Sequence, residues 1–172
     1  VADGMKVRTG SEPVINARKI ALQLLKAQKP HSREIDRLAE DYQVAQPEFE
    51  LEQKECILCQ LCVRTCREAI GVEAITLMTQ GPGREGPPRV EVDWDRCIAC
   101  ASCAYICPTL AITAEDTTDK RIIDIAGARM EFKLKQCTSC GAFYAPQKQL
   151  VYMGEASGLE PEKFDLCMNC RP

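Results

Sequence analysis

Between residues 10 and 42 apolar side chains recur at helical spacing, at Val14, Ala17, Ile20, Ala21, Leu24 and Leu25. That period predicts an amphipathic helix, with Ser11 as its N-cap and Pro13 in the first turn, where a missing N–H is tolerated. Pro30 should end it, since the ring removes a helical hydrogen bond and clashes with the preceding turn. A second, shorter helix starting at Ser32 would carry Ile35, Leu38 and Ala39 on one face. The stretch "VAQPEFELEQ" that follows has no period and reads as a linker.

From residue 54 to 114 the pattern changes to an internal repeat. Each half is a cysteine run followed by a short apolar stretch, "GVEAITLM" in the first and "LAITAE" in the second, and each stretch predicts a strand. "GPGREGPP" joins the halves, and its Gly and Pro residues mark a solvated loop between Leu77 and Val90. Residues 120 to 134 alternate around "RIIDI" and "MEFKL" with Gly127 between them, which predicts a hairpin. The last segment holds "CTSCG" and "CMNCR", separated by a polar stretch with helical character. The chain thus reads as α+β in three parts: an N-terminal helical arm and linker over 1–51, a central domain over 52–119, and a C-terminal hairpin with four cysteines over 120–172.

Composition sharpens the picture through one residue type. Twelve of the 172 residues are cysteine and one is histidine. Such density means either a disulfide framework in a secreted protein or metal and cluster ligation in a reducing compartment. The opening "VADGMKVRTG" has no apolar run of the kind a signal peptide needs, and no stretch is apolar for long enough to span a membrane, so the expected compartment is the cytoplasm. The first residue is Val, so the chain is expected to be processed or incomplete at its N-terminus. A formal net charge of −3 argues against a nucleic-acid partner. Lys133 and Lys135 read as solvated strand positions.

The spacing of the first eight cysteines carries the chemistry. "ECILCQLCVRTCRE" holds Cys56, Cys59, Cys62 and Cys66, and "RCIACASCAYICPT" holds Cys97, Cys100, Cys103 and Cys107. A cubane [4Fe-4S] cluster needs thiolates from several directions, and C-x2-C-x2-C wraps a loop around three of its irons. The fourth ligand must come from elsewhere. Both stretches resemble the C-x2-C-x2-C-x3-C-P run of two-cluster bacterial ferredoxins, in which the last cysteine ligates the other cluster. That resemblance covers roughly residues 52 to 115 and implies the bacterial two-cluster ferredoxin fold. It also implies crossed ligation, with Cys56, Cys59, Cys62 and Cys107 on one cluster and Cys97, Cys100, Cys103 and Cys66 on the other. Pro108 follows Cys107 as the family pattern expects, whereas Arg67 follows Cys66 where proline is usual. Arg67 reads as a surface ion-pair residue, with a hydrogen bond to cluster sulfur as the alternative.

The first run with its arginine is similar to the cluster-bearing modules of NADH dehydrogenases and iron-only hydrogenases. "VADGMKVRTGSEPVINARKIALQLLKAQKP" is likewise similar to the stretch that closes the plant-type [2Fe-2S] domain there and to the helix after it. The next segment in those families carries a histidine-and-three-cysteine cluster. "HSREIDRLAEDYQV" has no cysteine, so that cluster is expected to be absent and His31 solvated. Cys137, Cys140, Cys167 and Cys170 form two C-x2-C knuckles, a set that suits either a structural zinc or a third [4Fe-4S] cluster. Trp94, Tyr105 and Ile106 are expected to wall the clusters off from water, and Met78, Met130 and Met153 to fill the core.

No paired carboxylates, Ser/His/Asp set or phosphate-binding glycine loop stands out, so the chain is expected to be non-catalytic. The reading is an electron-transfer subunit of an oxygen-sensitive, anaerobic-type oxidoreductase complex. Partners would be a large catalytic redox subunit and further electron-transfer subunits, without membrane insertion. The resemblance extends to iron-sulfur subunits of NADH dehydrogenases, hydrogenases and formate dehydrogenases. It extends also to the small polyferredoxin subunits of tungsten enzymes, that of tungsten-dependent benzoyl-CoA reductase among them. A diffusible ferredoxin-like carrier and an assembly factor built on a zinc ribbon are the alternatives.

Overall fold

The structure, a computed structural model, describes residues 2–49, 51, 55–79 and 86–171. Parts of the expected linker and of the "GPGREGPP" loop lie outside the described residues. The chain divides into two compact units, residues 1–57 and 58–172. Among the described residues no helix is long and apolar enough to cross a membrane.

The first unit is a helix pair, α1 (Glu12–Gln28) and α2 (Arg33–Asp41), broken at the expected proline. Leu22 and Ala27 of α1 and Ile35 and Ala39 of α2 are buried, and Lys26 Nζ meets Asp36 Oδ1 at 3.3 Å across the pair. The buried face of α1 is not the one its apolar spacing suggests: Ala17, Ile20, Ala21 and Leu24 are exposed. One nine-residue helix covers a single stripe of a 17-residue neighbour, so the remaining apolar positions of α1 stay uncovered. His31 is exposed, in agreement with its reading as a solvated residue.

In the second unit, α3 (Leu61–Arg64) runs into a wider π-helical turn, Thr65–Ala69, that carries Cys66. β1 (Ile75–Met78) and β2 (Arg89–Val92) pair antiparallel, with Ile75 opposite Val92. α4 (Ser102–Ile106) follows the second cysteine run. Then β3 (Ile112–Asp116), β4 (Lys120–Ile125), β5 (Ala128–Gln136) and β6 (Phe143–Pro146) form an antiparallel meander in chain order. α5 (Gln147–Ser157) and a 3-10 turn, Pro161–Phe164, complete the unit.

The predicted hairpin is β4–β5. Ile125 pairs with Ala128, and the two residues between them, Ala126 and Gly127, have φ of 52° and 92°. Two successive left-handed residues match the right-handed twist of the flanking strands, the geometry of a type I′ turn. Asp124 Oδ1 accepts from the Gly127 N–H at 2.8 Å and helps fix it.

Alternation along β4 buries Ile123 and Ile125, which are 1% and 2% exposed. They join Ile112, Phe132, Val72, Ala74, Ile75 and Ala99 in one core, and Cys62, Cys97 and Cys103 belong to the same core. Thiols that would otherwise be surface chemistry are thus built into the interior of the unit. The methionines do not all serve as core: Met130 and Met153 are 38% and 42% exposed, and Met78 is half-buried. Apolar side chains stay exposed wherever no second layer reaches them.

Candidate metal centres

Both C-x2-C-x2-C loops bend in the same unusual way. In the first, Leu58 and Gln60 have φ of 55° and 62°; in the second, Ala99 and Ala101 have φ of 60° and 63°. These residues flank the middle cysteine of each run, Cys59 and Cys100. Left-handed conformations cost a side-chain-bearing residue about 1 kcal/mol or more, so four of them at matching positions mark a constrained site. Loops that alternate left- and right-handed residues turn successive backbone N–H groups to one side, which suits an anionic group. No glycine signals these bends, so they are not legible in the sequence.

The second set of four cysteines closes around a recess. Cys66, from the π-helical turn after the first run, lines it together with Cys97, Cys100 and Cys103 of the second. Ile70, Val72, Ala74, Ile75, Ile98, Ala99 and Ile123 supply the apolar wall, and Ser102 adds a hydroxyl. The Ala74 N–H donates to Cys66 Sγ at 3.3 Å. Burial first, and then the neighbouring Cys100 and Cys97 sulfurs, push the Cys103 thiol up to about 12. Burial likewise raises Cys97. Four cysteines in an apolar lining that holds no carboxylate or imidazole suit a thiolate-ligated metal centre.

Of the first set, Cys62 is buried, Cys107 half-buried and Cys59 exposed. Cys107 Sγ lies 3.7 Å from the Thr109 hydroxyl, and Cys56 is a half-buried residue near the end of the first unit.

Side chains from distant parts of the second unit hold the loops. Arg121 Nη1 donates to the Ala99 carbonyl at 3.0 Å while its other donors grip Asp116 at 2.6 and 2.8 Å. Lys148 Nζ donates to the carbonyls of Trp94 and Asp95 just before Cys97, and Tyr152 Oη donates to the Ile70 carbonyl at 2.6 Å. None of the three was visible in the sequence, because each acts across 22 residues or more. Replacing Arg121 by Met leaves the Ala99 carbonyl without that charged donor, a loss of about 1–2 kcal/mol. The expected result is roughly ten-fold faster bleaching of cluster absorbance in an iron chelator; an unchanged rate contradicts the assignment.

Two expectations about the surroundings are corrected. Tyr105 is 94% exposed and Ile106 39% exposed, so neither walls a cluster. α4 is only five residues long and turns its Cys103 side to the core, which leaves Tyr105 and Ile106 facing water. Trp94 does pack against the core, its ring 6.1 Å from that of Phe132. Arg67 pairs with Glu68 at 3.3 Å on the surface. Lys135 is half-buried and bonded to Asp165 at 2.6 Å, so it is more than a solvated strand residue.

The last four cysteines gather separately. The sulfurs of Cys137, Cys140, Cys167 and Cys170 all lie within 4.8 Å of one another. Cys137 directly follows β5, Cys140 precedes β6, and Cys167 and Cys170 follow the 3-10 turn. Backbone N–H groups at Cys140 and Cys167 lower the Cys137 thiol to about 6, and the Cys167 N–H donates to its sulfur at 3.3 Å. Among the described residues no cysteine pair is joined as a disulfide.

The 4Fe-4S dicluster domain family matches residues 55–111, a span that takes in all eight cysteines of the two runs. No curated protein matches the chain. The family match supports an iron-sulfur protein of ferredoxin type with an electron-transfer role.

Proposed function

We propose that this chain is an electron-relay subunit of a larger oxidoreductase complex, carrying two [4Fe-4S] clusters and no substrate chemistry of its own. The observation that carries the reading is the recess in which Cys66 of the first run stands with Cys97, Cys100 and Cys103 of the second. Crossed ligation of this kind belongs to two-cluster ferredoxins and keeps their centres close. The other cluster falls to Cys56, Cys59, Cys62 and Cys107, a grouping that stands on sequence spacing. Each cluster, when bound, supplies a one-electron couple. The chain's own residues set the conditions: the apolar wall excludes water, and the Ala74 N–H stabilises negative charge on the Cys66 thiolate.

Two surfaces support a docked relay. Tyr105 and Leu110, 94% and 72% exposed, flank Cys107 and offer an apolar approach to the cluster region. Ala17, Ile20, Ala21 and Leu24 leave an apolar row on α1. The partner would be a large catalytic subunit with a flavin, molybdenum, tungsten or nickel-iron centre, joined by further electron-transfer subunits in the cytoplasm. A tungsten- or molybdenum-type oxidoreductase such as benzoyl-CoA reductase is the favoured complex, and NADH dehydrogenase, hydrogenase or formate dehydrogenase complexes are the alternative. Anaerobic purification of the tagged chain from its native cells is the test. A larger redox subunit is expected to co-purify in fixed ratio through size exclusion; a protein that elutes alone overturns the subunit reading and favours a diffusible carrier.

A further inference from the structure

The four C-terminal cysteines lie too close together for a cubane, and from this we infer that they hold a single zinc ion, not a third cluster. Four thiolates around one zinc at about 2.3 Å each stand about 3.8 Å apart. Terminal thiolates of a cubane, each on a different iron, stand about 6 Å apart. Here all four sulfurs lie within 4.8 Å of one another, and Cys140 Sγ and Cys167 Sγ are 3.7 Å apart.

The backbone holds the sulfurs in that compact arrangement. Each knuckle closes on itself: the Gly141 N–H donates to the Cys137 carbonyl at 3.0 Å, and the Cys170 and Arg171 N–H groups donate to the Cys167 carbonyl at 3.0 and 3.1 Å. Gly141, at φ 76°, makes the left-handed turn that lets the chain leave the first knuckle toward β6. The two knuckles are tied to each other as well. The Cys167 N–H meets Cys137 Sγ, the Thr138 N–H and hydroxyl both donate to the Asp165 carbonyl, and Lys135 Nζ reaches the Asp165 carboxylate. Opening the group to cubane dimensions would break several of these bonds together.

Four thiolates in tetrahedral array select zinc or iron among the common metals, and closed sites of this kind with paired C-x2-C knuckles are the structural zinc class. The role of the ion follows from what it joins. Cys137 and Cys140 bracket the turn from β5 to β6, and Cys167 and Cys170 lie in the terminal segment, so the ion pins the end of the chain to the meander. Zinc has no redox couple, so this site clamps structure and passes no electrons. Whether or not the two cysteine runs relay electrons, the clamp stands on its own geometry.

The test is metal analysis of the full chain, made anaerobically in medium supplemented with both iron and zinc and combined with zinc-edge X-ray absorption. About one zinc per chain with four sulfur neighbours at about 2.3 Å is the expected result. In the C167S variant that zinc should be lost while the iron and sulfide content stays unchanged. About 12 iron per chain without zinc overturns the inference in favour of a third cluster and leaves the relay reading intact. A lone iron in the four-sulfur site, or no metal there, overturns it too. Should C167S fail to fold, the absorption spectrum of the unaltered chain decides alone.

Discussion

Replacing Cys66 by Ala is expected to remove the same cluster as replacing Cys97 by Ala, although the two residues belong to different runs. In the proposed crossed ligation, Cys66, which lines one recess with Cys97, Cys100 and Cys103, serves the same cluster as they do, and residues that serve one site do not add. The unaltered chain should bind about 8 iron in its two runs, and either single variant about 4. The double variant C66A/C97A should still bind about 4, because both changes strike one cluster. C56A/C66A, by contrast, should fall to near zero, since each change strikes a different one. Iron and sulfide assays together with the electron paramagnetic resonance of the reduced proteins give the answer. If C66A/C97A loses both clusters while C56A/C66A keeps one, each run holds its own cluster and the crossed ligation is wrong.

Stripping the clusters anaerobically with a chelator is expected to unfold the part of the second unit that surrounds them. α3 and α4 have four and five residues, and β1 and β2 have four each, lengths at which helices and isolated hairpins do not stand alone. Their anchors in the core are Val72, Ala74, Ile75 and Ala99 together with Cys62, Cys97 and Cys103. Metal binding to structural thiolate sites is worth about 10 kcal/mol or more, comparable to the whole stability of a small domain. Hydrogen exchange should therefore show protection over residues 58–79 and 86–108 collapsing by several orders of magnitude, while the β3–β6 meander retains part of its own. Unchanged protection over those residues in the stripped protein contradicts this expectation.

What the sequence disclosed and what it withheld follow a physical division. Local rules sufficed for α1, α2 and the proline break, and for the β4–β5 hairpin, whose Gly127 and alternating strands are nearest-neighbour signals. Ligand chemistry was equally legible, since cysteine spacing is itself the requirement of a metal site. Long-range placement was not. Part of the apolar row of α1 stays exposed, because spacing reports an apolar stripe without saying how much of it a neighbour will cover. Tyr105 and Ile106 stand between ligands in sequence, which suggests a wall, yet five-residue α4 turns them outward. The left-handed backbone at Leu58, Gln60, Ala99 and Ala101 is not legible, because only glycine announces such backbone in a sequence. Arg121, Lys148 and Tyr152 brace the cluster region from the meander and from α5, and no local pattern links them to it. The choice between zinc and a third cluster at the last four cysteines likewise turns on distances between sulfurs, which spacing alone does not contain.

As a relay, the two cysteine runs would form a pair of neighbouring one-electron centres. A reductive titration of the anaerobically purified chain, followed by electron paramagnetic resonance, tests it most directly. An uptake of about two electrons per chain is expected, with a fully reduced spectrum broadened by coupling between two nearby spins. A single isolated signal, or no reducible centre in protein that contains its full iron and sulfide, would contradict it.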